Sequence, residues 1–185
     1  GQDDQMFDGG SFALNRGGAL AARMLVLEEA ITHPDVTQTN EGWQIAEGEK
    51  APLPDAWEQD YRAMVETLRD YLSKAGFSKV LLGLSGGIDS AIVATIAADA
   101  LGPENVRCVM LPSEYTSEHS LEDAKAVAEN LGAHYDFVPI KEGRQAITNT
   151  LAPLFEGTEP DVTEENLQSR LRGLLLMALS NQFGE

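Results

Sequence analysis

The spacing of apolar positions changes along the chain, and each change marks an element. Residues 5–27 read as two short strands, 5–14 and 19–27, joined by Asn15, Arg16, Gly17 and Gly18, which tolerate the positive φ of a hairpin turn. A lone hairpin is marginally stable in water. Its sheet is therefore expected to be completed by strands upstream of these residues or in a neighbouring molecule. Residues 32–54 are polar, carry Gly and Pro and show no periodicity, so they read as a linker containing a boundary.

From Trp57 the period becomes helical: Trp57, Tyr61, Met64, Val65, Leu68, Tyr71 and Leu72 recur on one face until Gly76 stops the run. Residues 79–84 then form a short continuous apolar run, the mark of a strand covered on both faces. A helix is expected over 91–101, ended by Gly102 and Pro103, and a second buried strand over 106–111. A polar loop over 112–120 precedes a helix over 121–131, stopped by Gly132, and a third strand over 134–140. Beyond it come a helix near 144–154, an acidic turn over 156–161 expected to be mobile, and a last helix from about Glu164. In that helix Leu167, Leu171, Leu174, Leu175 and Leu179 make an apolar face, with Asn166, Arg170 and Gly173 on another side. Strands alternating with helices predict an α/β fold with a doubly wound parallel sheet and right-handed crossovers.

Composition narrows the function classes. The chain has 185 residues and a net charge of −17, which makes nucleic acid a poor partner without a basic patch, and none is visible. No apolar run approaches the roughly 20 residues of a membrane span. The polar, acidic opening lacks a signal peptide's pattern, so a cytoplasmic location is expected. The single cysteine, Cys108, sits in a strand pattern and reads as core packing. His33, His119 and His134 lack metal-ligand spacing and read as surface or packing residues.

The chemistry concentrates between the first buried strand and the following helix. There Ser85, Gly86, Gly87, Ile88, Asp89 and Ser90 occupy the carboxyl end of a strand, where open α/β sheets bind ligands. Gly86 and Gly87 allow a sharp turn that aims successive N–H groups at one point, and the adjoining helix adds its positive end. Such a loop is an anion cradle. Ser85 and Ser90 can donate to phosphate oxygens, and Asp89 makes sense beside phosphates if it binds Mg²⁺ directly or through water. The segment has no lysine for a Walker A loop, and Gly83, Gly86 and Gly87 do not fit a dinucleotide fingerprint.

This Ser-Gly-Gly-Ile-Asp-Ser motif resembles that of the ATP-pyrophosphatase superfamily, whose members cleave ATP to AMP and pyrophosphate while adenylating an acceptor. Residues 110–120 and 165–181 resemble the NAD synthetases within it. Residues 1–12 resemble the end of the nitrilase-like glutaminase domain of the glutamine-dependent enzymes. The resemblance implies an adenine nucleotide alpha hydrolase-like fold. It divides the chain into the glutaminase end at 1–31, a linker at 32–55 and the first part of a synthetase domain at 56–185.

By that likeness Ser85, Gly86, Gly87, Asp89 and Ser90 hold the phosphates of ATP, with Asp89 on Mg²⁺. Ser113, Tyr115, Thr116 and Ser117 lie on a loop that either borders the nucleotide or only caps a helix. Asn166 and Arg170 meet deamido-NAD, and Arg170 can pair bidentately with a phosphate or carboxylate. The implied reaction amidates deamido-NAD to NAD with glutamine-derived ammonia, in a homo-oligomer. The glutaminase machinery and a later Thr-Gly-Asn-Lys-Ser-Glu segment lie outside the chain, which is expected to be incomplete for activity. Another amidotransferase of the superfamily, such as GMP synthetase, and a non-catalytic nucleotide-binding module are the alternatives.

Overall fold

The hairpin expected near the start forms between β1 (Phe12–Leu14) and β2 (Leu20–Arg23), antiparallel, with Phe12 opposite Arg23. Gly17 and Gly18 take φ of 86° and 83° in its turn. The paired strands are shorter than expected because Gly9 and Gly10 also adopt positive φ, 69° and 65°; beyond them the arms are joined by the Met24 N–H on the Ser11 carbonyl, the Gly10 N–H on the Leu25 carbonyl and a bridge between Gly9 and Val26. In this computed structural model the described residues are 5–159 and 161–184. Residues 1–4, which open the segment expected to be glutaminase-like, and Pro160 of the turn expected to be mobile lie outside them.

The stretch read as an irregular linker is not irregular. It contains a second hairpin, β3 (Val36–Thr39) and β4 (Gly42–Ile45), with Thr39 opposite Gly42. Both its faces are open to solvent, so selection for an apolar/polar alternation is weak and periodicity does not reveal it. It also supplies part of what the first hairpin lacked. Asn15 donates through Nδ2 to the Ile45 carbonyl at 2.9 Å and accepts the Ile45 N–H at 2.8 Å. The Arg23 N–H bonds to the Glu49 carbonyl at 2.9 Å, and Arg23 Nε to the Ala51 carbonyl at 2.7 Å.

Helix α1 (Ala56–Ala75) starts where Asp55 accepts the Glu58 N–H at 2.9 Å. It ends at Gly76, φ 79°, with the Phe77 N–H returning to the Leu72 carbonyl at 2.9 Å. The chain divides into two compact units, the first ending at Tyr71 and the second beginning at Leu72.

The second unit carries the expected parallel sheet, β5 (Val80–Gly83), β6 (Val106–Met110) and β7 (His134–Phe137), in that spatial order. Helix α2 (Ile88–Leu101) links β5 to β6, and α3 (Glu118–Leu131) links β6 to β7. Two crossovers that step the same way place α2 and α3 on one face. Their buried Ala94, Ala97, Ala98, Ala124 and Ala128 are small enough to let backbones approach closely. The other face is packed by α4 (Lys141–Leu151) and α5 (Val162–Phe183): Val109, Leu111, Ile140 and Leu171 form a buried cluster against which Leu81, Leu175, Leu176 and Leu179 pack. Helices on both faces make the sheet doubly wound.

On that second face Arg107 of β6 pairs with Asp136 of β7 at 2.7 Å, and its guanidinium lies 4.2 Å from the ring centre of Phe183. A cleft opens at the carboxyl ends of β5 and β6, lined by Gly83, Leu84, Met110 and Leu111 and by Arg172 and Leu176 of α5. The site lies there.

Candidate functional site

After Leu84, whose N–H bonds to the Val109 carbonyl at 2.9 Å, the chain leaves the sheet and turns into α2 within a few residues. The turn needs φ of 80° at Gly86, and a β-carbon there would stand 2.2 Å from the Ser120 carbonyl oxygen. Glycine is therefore required twice, for backbone conformation and for space. Gly87 is the N-cap of α2 with φ −87° and ψ 156°, and no side chain caps the helix. Capping is left to something else.

The two serines shape this loop. Ser90 Oγ accepts the Ser85 N–H at 3.1 Å and donates to the Gly87 carbonyl at 3.0 Å. Ser85 Oγ accepts the Gly87 N–H at 3.2 Å and lies 3.0 Å from Ser90 Oγ. With Ser90's proton on Gly87, the proton between the hydroxyls belongs to Ser85. Both hydroxyls, expected to point at a ligand, thus hold the loop in its turn, as do the Ser85 and Gly87 amides. The amides of Gly86, Ile88, Asp89 and Ser90 find no protein acceptor among the described residues. Ile88 is 80% exposed, Asp89 is exposed beside it, and Gly86 and Ser90 are part-exposed, so the N-terminus of α2 is open to solvent. The arrangement suits an anion.

The loop after β6 lies alongside. Its turn is closed by the Ser113 N–H on Thr116 Oγ1 at 3.0 Å and the Thr116 N–H on the Ser113 carbonyl at 3.2 Å. Ser117 caps α3 by accepting the Ser120 N–H at 3.2 Å, so that helix starts at Glu118, earlier than periodicity suggested. Tyr115 is 76% exposed. Glu114 forms an ion pair with Arg144, tying this loop to α4. Of Ser113, Tyr115, Thr116 and Ser117, only Thr116 lines the cleft of about 330 Å³ that opens beside the glycine loop. The cleft's other walls include Leu84, Ser85, Met110, Leu111 and Leu176.

One wall residue went unnoticed in the sequence. Arg172 of α5 reaches into this cleft, with Nε donating to the Leu111 carbonyl at 3.0 Å. The signal was available: Arg172 shares a helix face with Leu176 and Leu179, and a charge on an apolar stripe is the informative exception. Asn166 and Arg170 are exposed instead. Arg170 is turned by about 160° from Arg172 at roughly 100° per residue and does not line the cleft.

Two other titratable groups are structural. Cys108 is fully buried in β6, and burial pushes its thiol up to about 11. Burial also pushes the Asp136 carboxyl upward, but hydrogen bonds from Arg107 and His134 outweigh it and hold it below the usual value. Among the described residues no cluster of three His, Cys, Asp or Glu side chains could hold a metal ion. No helix is long and apolar enough to cross a membrane among the same residues.

Fold and loop together define a parallel α/β protein with an open helix N-terminus at the carboxyl end of β5. The NAD synthase family model matches residues 60–185, and the chain belongs to that family. It is 57% identical over 184 residues to the glutamine-dependent NAD(+) synthetase of Rhodobacter capsulatus, covering 100% of this chain and 33% of that one. With the Thermotoga maritima glutamine-dependent NAD(+) synthetase the identity is 42% over 214 residues, covering 100% and 37%. Glutamine-dependent NAD+ synthetase from Acinetobacter baumannii, solved in complex with ADP, superposes with a TM-score of 0.93 at 42% identity, covering 100% of this chain and 35% of that one. The chain spans about a third of the length of the relatives it matches.

Proposed function

We propose that this chain supplies the ATP-holding part of an enzyme that amidates deamido-NAD to NAD. The observation that carries the reading is the set of unused amides at Gly86, Ile88, Asp89 and Ser90, beside a cleft with apolar walls. The amides suit the phosphates of ATP, and Leu84, Met110, Leu111 and Leu176 suit its adenosine. The residues present also fit Mg²⁺. Asp89 is an exposed carboxylate next to the amides, and Mg²⁺ typically takes one or two carboxylates with phosphate oxygens and water rather than an all-protein cage. When bound it would neutralise charge on the departing pyrophosphate.

In this reading the nicotinate carboxylate attacks the α-phosphorus, and the bond to pyrophosphate breaks as the loop amides stabilise its charge. Ammonia derived from glutamine then attacks the adenylated carbonyl, losing a proton, and AMP leaves with the electron pair of its C–O bond. No side chain serves as nucleophile; positioning and charge stabilisation carry the rate. Asn166 and Arg170 remain the candidates for deamido-NAD. Their solvent face suits a site completed by another part of the protein or by a second copy in a homo-oligomer. A cytoplasmic location is part of the same proposal, supported by the lack of a helix long and apolar enough to cross a membrane among the described residues.

Pyrophosphate release by the full-length protein tests this. Release that depends on deamido-NAD supports the proposal, and release with xanthosine monophosphate instead points to a GMP-forming amidotransferase. ATP binding without release on any acceptor leaves a nucleotide-binding module.

A further inference from the structure

Three arginines of the second unit are partly buried: Arg107, Arg144 and Arg172. Arg107 pairs with Asp136, and Arg144 with Glu114. Arg172 has no carboxylate partner among the described residues, although Asp and Glu outnumber Lys and Arg by 30 to 13 in the chain. Arg172 is part-buried along an apolar-walled cleft, with the Leu111 carbonyl as its one protein partner among the described residues. Its Nε is fixed on the Leu111 carbonyl at 3.0 Å, which sets the plane of the group. The N–H donors on its terminal nitrogens remain for something else.

The position says what that is. The cleft is shared by Arg172 and Ser85, the first residue of the glycine loop, so its mouth adjoins the unused amides. If pyrophosphate oxygens take those amides and adenosine takes the apolar walls, the α-phosphate falls at the junction. We infer that Arg172 contacts the α-phosphate of the nucleotide, clamping the phosphorus under attack and, after pyrophosphate departs, the phosphate of the adenylate. This rests on the nucleotide reading proposed above and adds the residue that grips the reacting centre. The Leu111 carbonyl acts as its anchor: Arg172 is held from behind and presents a fixed fork.

The test compares adenosine, AMP and Mg·ATP binding to the full-length protein and to its R172M and R172K variants, with thermal midpoints measured alongside. A lost charge-assisted contact weakens AMP and ATP by about 10- to 100-fold, and adenosine, which has no phosphate, binds as before. R172K recovers part of the loss because it keeps the charge and loses the fork. Unchanged AMP and ATP affinity in R172M overturns the inference. So does an equal loss of all three ligands with a lowered midpoint, which would make Arg172 only a brace between α5 and β6. Failure of the parent itself to bind ATP would remove the nucleotide reading, and this inference with it.

Discussion

The α-carbon of Gly86 is backed by the Ser120 carbonyl, so a β-carbon at Gly86 would lie 2.2 Å from that oxygen. The contact joins the loop after β5 to the first turn of α3 and locks two helix N-termini side by side. Gly86→Ala must strain a left-handed backbone, at about 1–2 kcal/mol, and also displace α3 or the loop. Gly87→Ala faces only Ser85 Oγ at 3.4 Å with φ −87°. Thermal unfolding should show a clear drop for Gly86→Ala and almost none for Gly87→Ala. Equal midpoints for Gly86→Ala and the parent would contradict the contact.

Ser90 is assigned here to loop shape. Ser90→Ala leaves the Ser85 N–H and the Gly87 carbonyl without their partner, a loss of about 1–2 kcal/mol felt mainly as disorder in the loop. Calorimetric titration should find Mg·ATP binding weakened about tenfold. Ser90→Thr keeps the oxygen and should bind close to the parent. If the threonine and alanine variants behave alike, the hydroxyl does not hold the turn.

In the proposed reading Asp89 would hold the metal. The parent should bind ATP more tightly with Mg²⁺ than with chelator, and Asp89→Asn should erase most of that difference while leaving the fold's midpoint in place. A variant that keeps the parent's full Mg²⁺ dependence removes Asp89 from that role.

Asp136 tests the sheet rather than the site. Its carboxyl is held below the usual value, so its stabilisation is present above the unfolded carboxylate value of about 4 and is lost as pH falls through the lower folded value. Asp136→Asn should cost about 1–3 kcal/mol at neutral pH, chiefly by removing the charge that faces Arg107. Denaturant unfolding should show the gap between parent and variant narrowing as pH is lowered past that range. A gap independent of pH would mean that the ion pair contributes nothing.

What could be read from the residues was mostly local. The run at 79–84, the Gly-Gly turn and the flanking helices follow from chain-neighbour rules, and the structure places β5, the loop and α2 in that order. Helix starts at Glu118 and Val162 came earlier than expected because Ser117 and Asp161 cap them, and a cap precedes the first periodic position. The β3–β4 hairpin was missed because neither of its faces is buried. The meeting of Gly86 with Ser120 and the anchoring of Arg172 on Leu111 join residues far apart in sequence. No spacing rule encodes them. Arg170 carries the likeness to a family segment, while Arg172, two residues on, lines the cleft.

In the proposed reading, free backbone donors grip phosphate. Amide hydrogen exchange of the full-length protein, with and without Mg·ATP and read on the peptide spanning 84–91, measures this directly. Bound nucleotide should slow exchange at Gly86, Ile88, Asp89 and Ser90, with little added change at Ser85 and Gly87, which the loop already holds. Saturating ATP that leaves this peptide's exchange untouched would contradict the account.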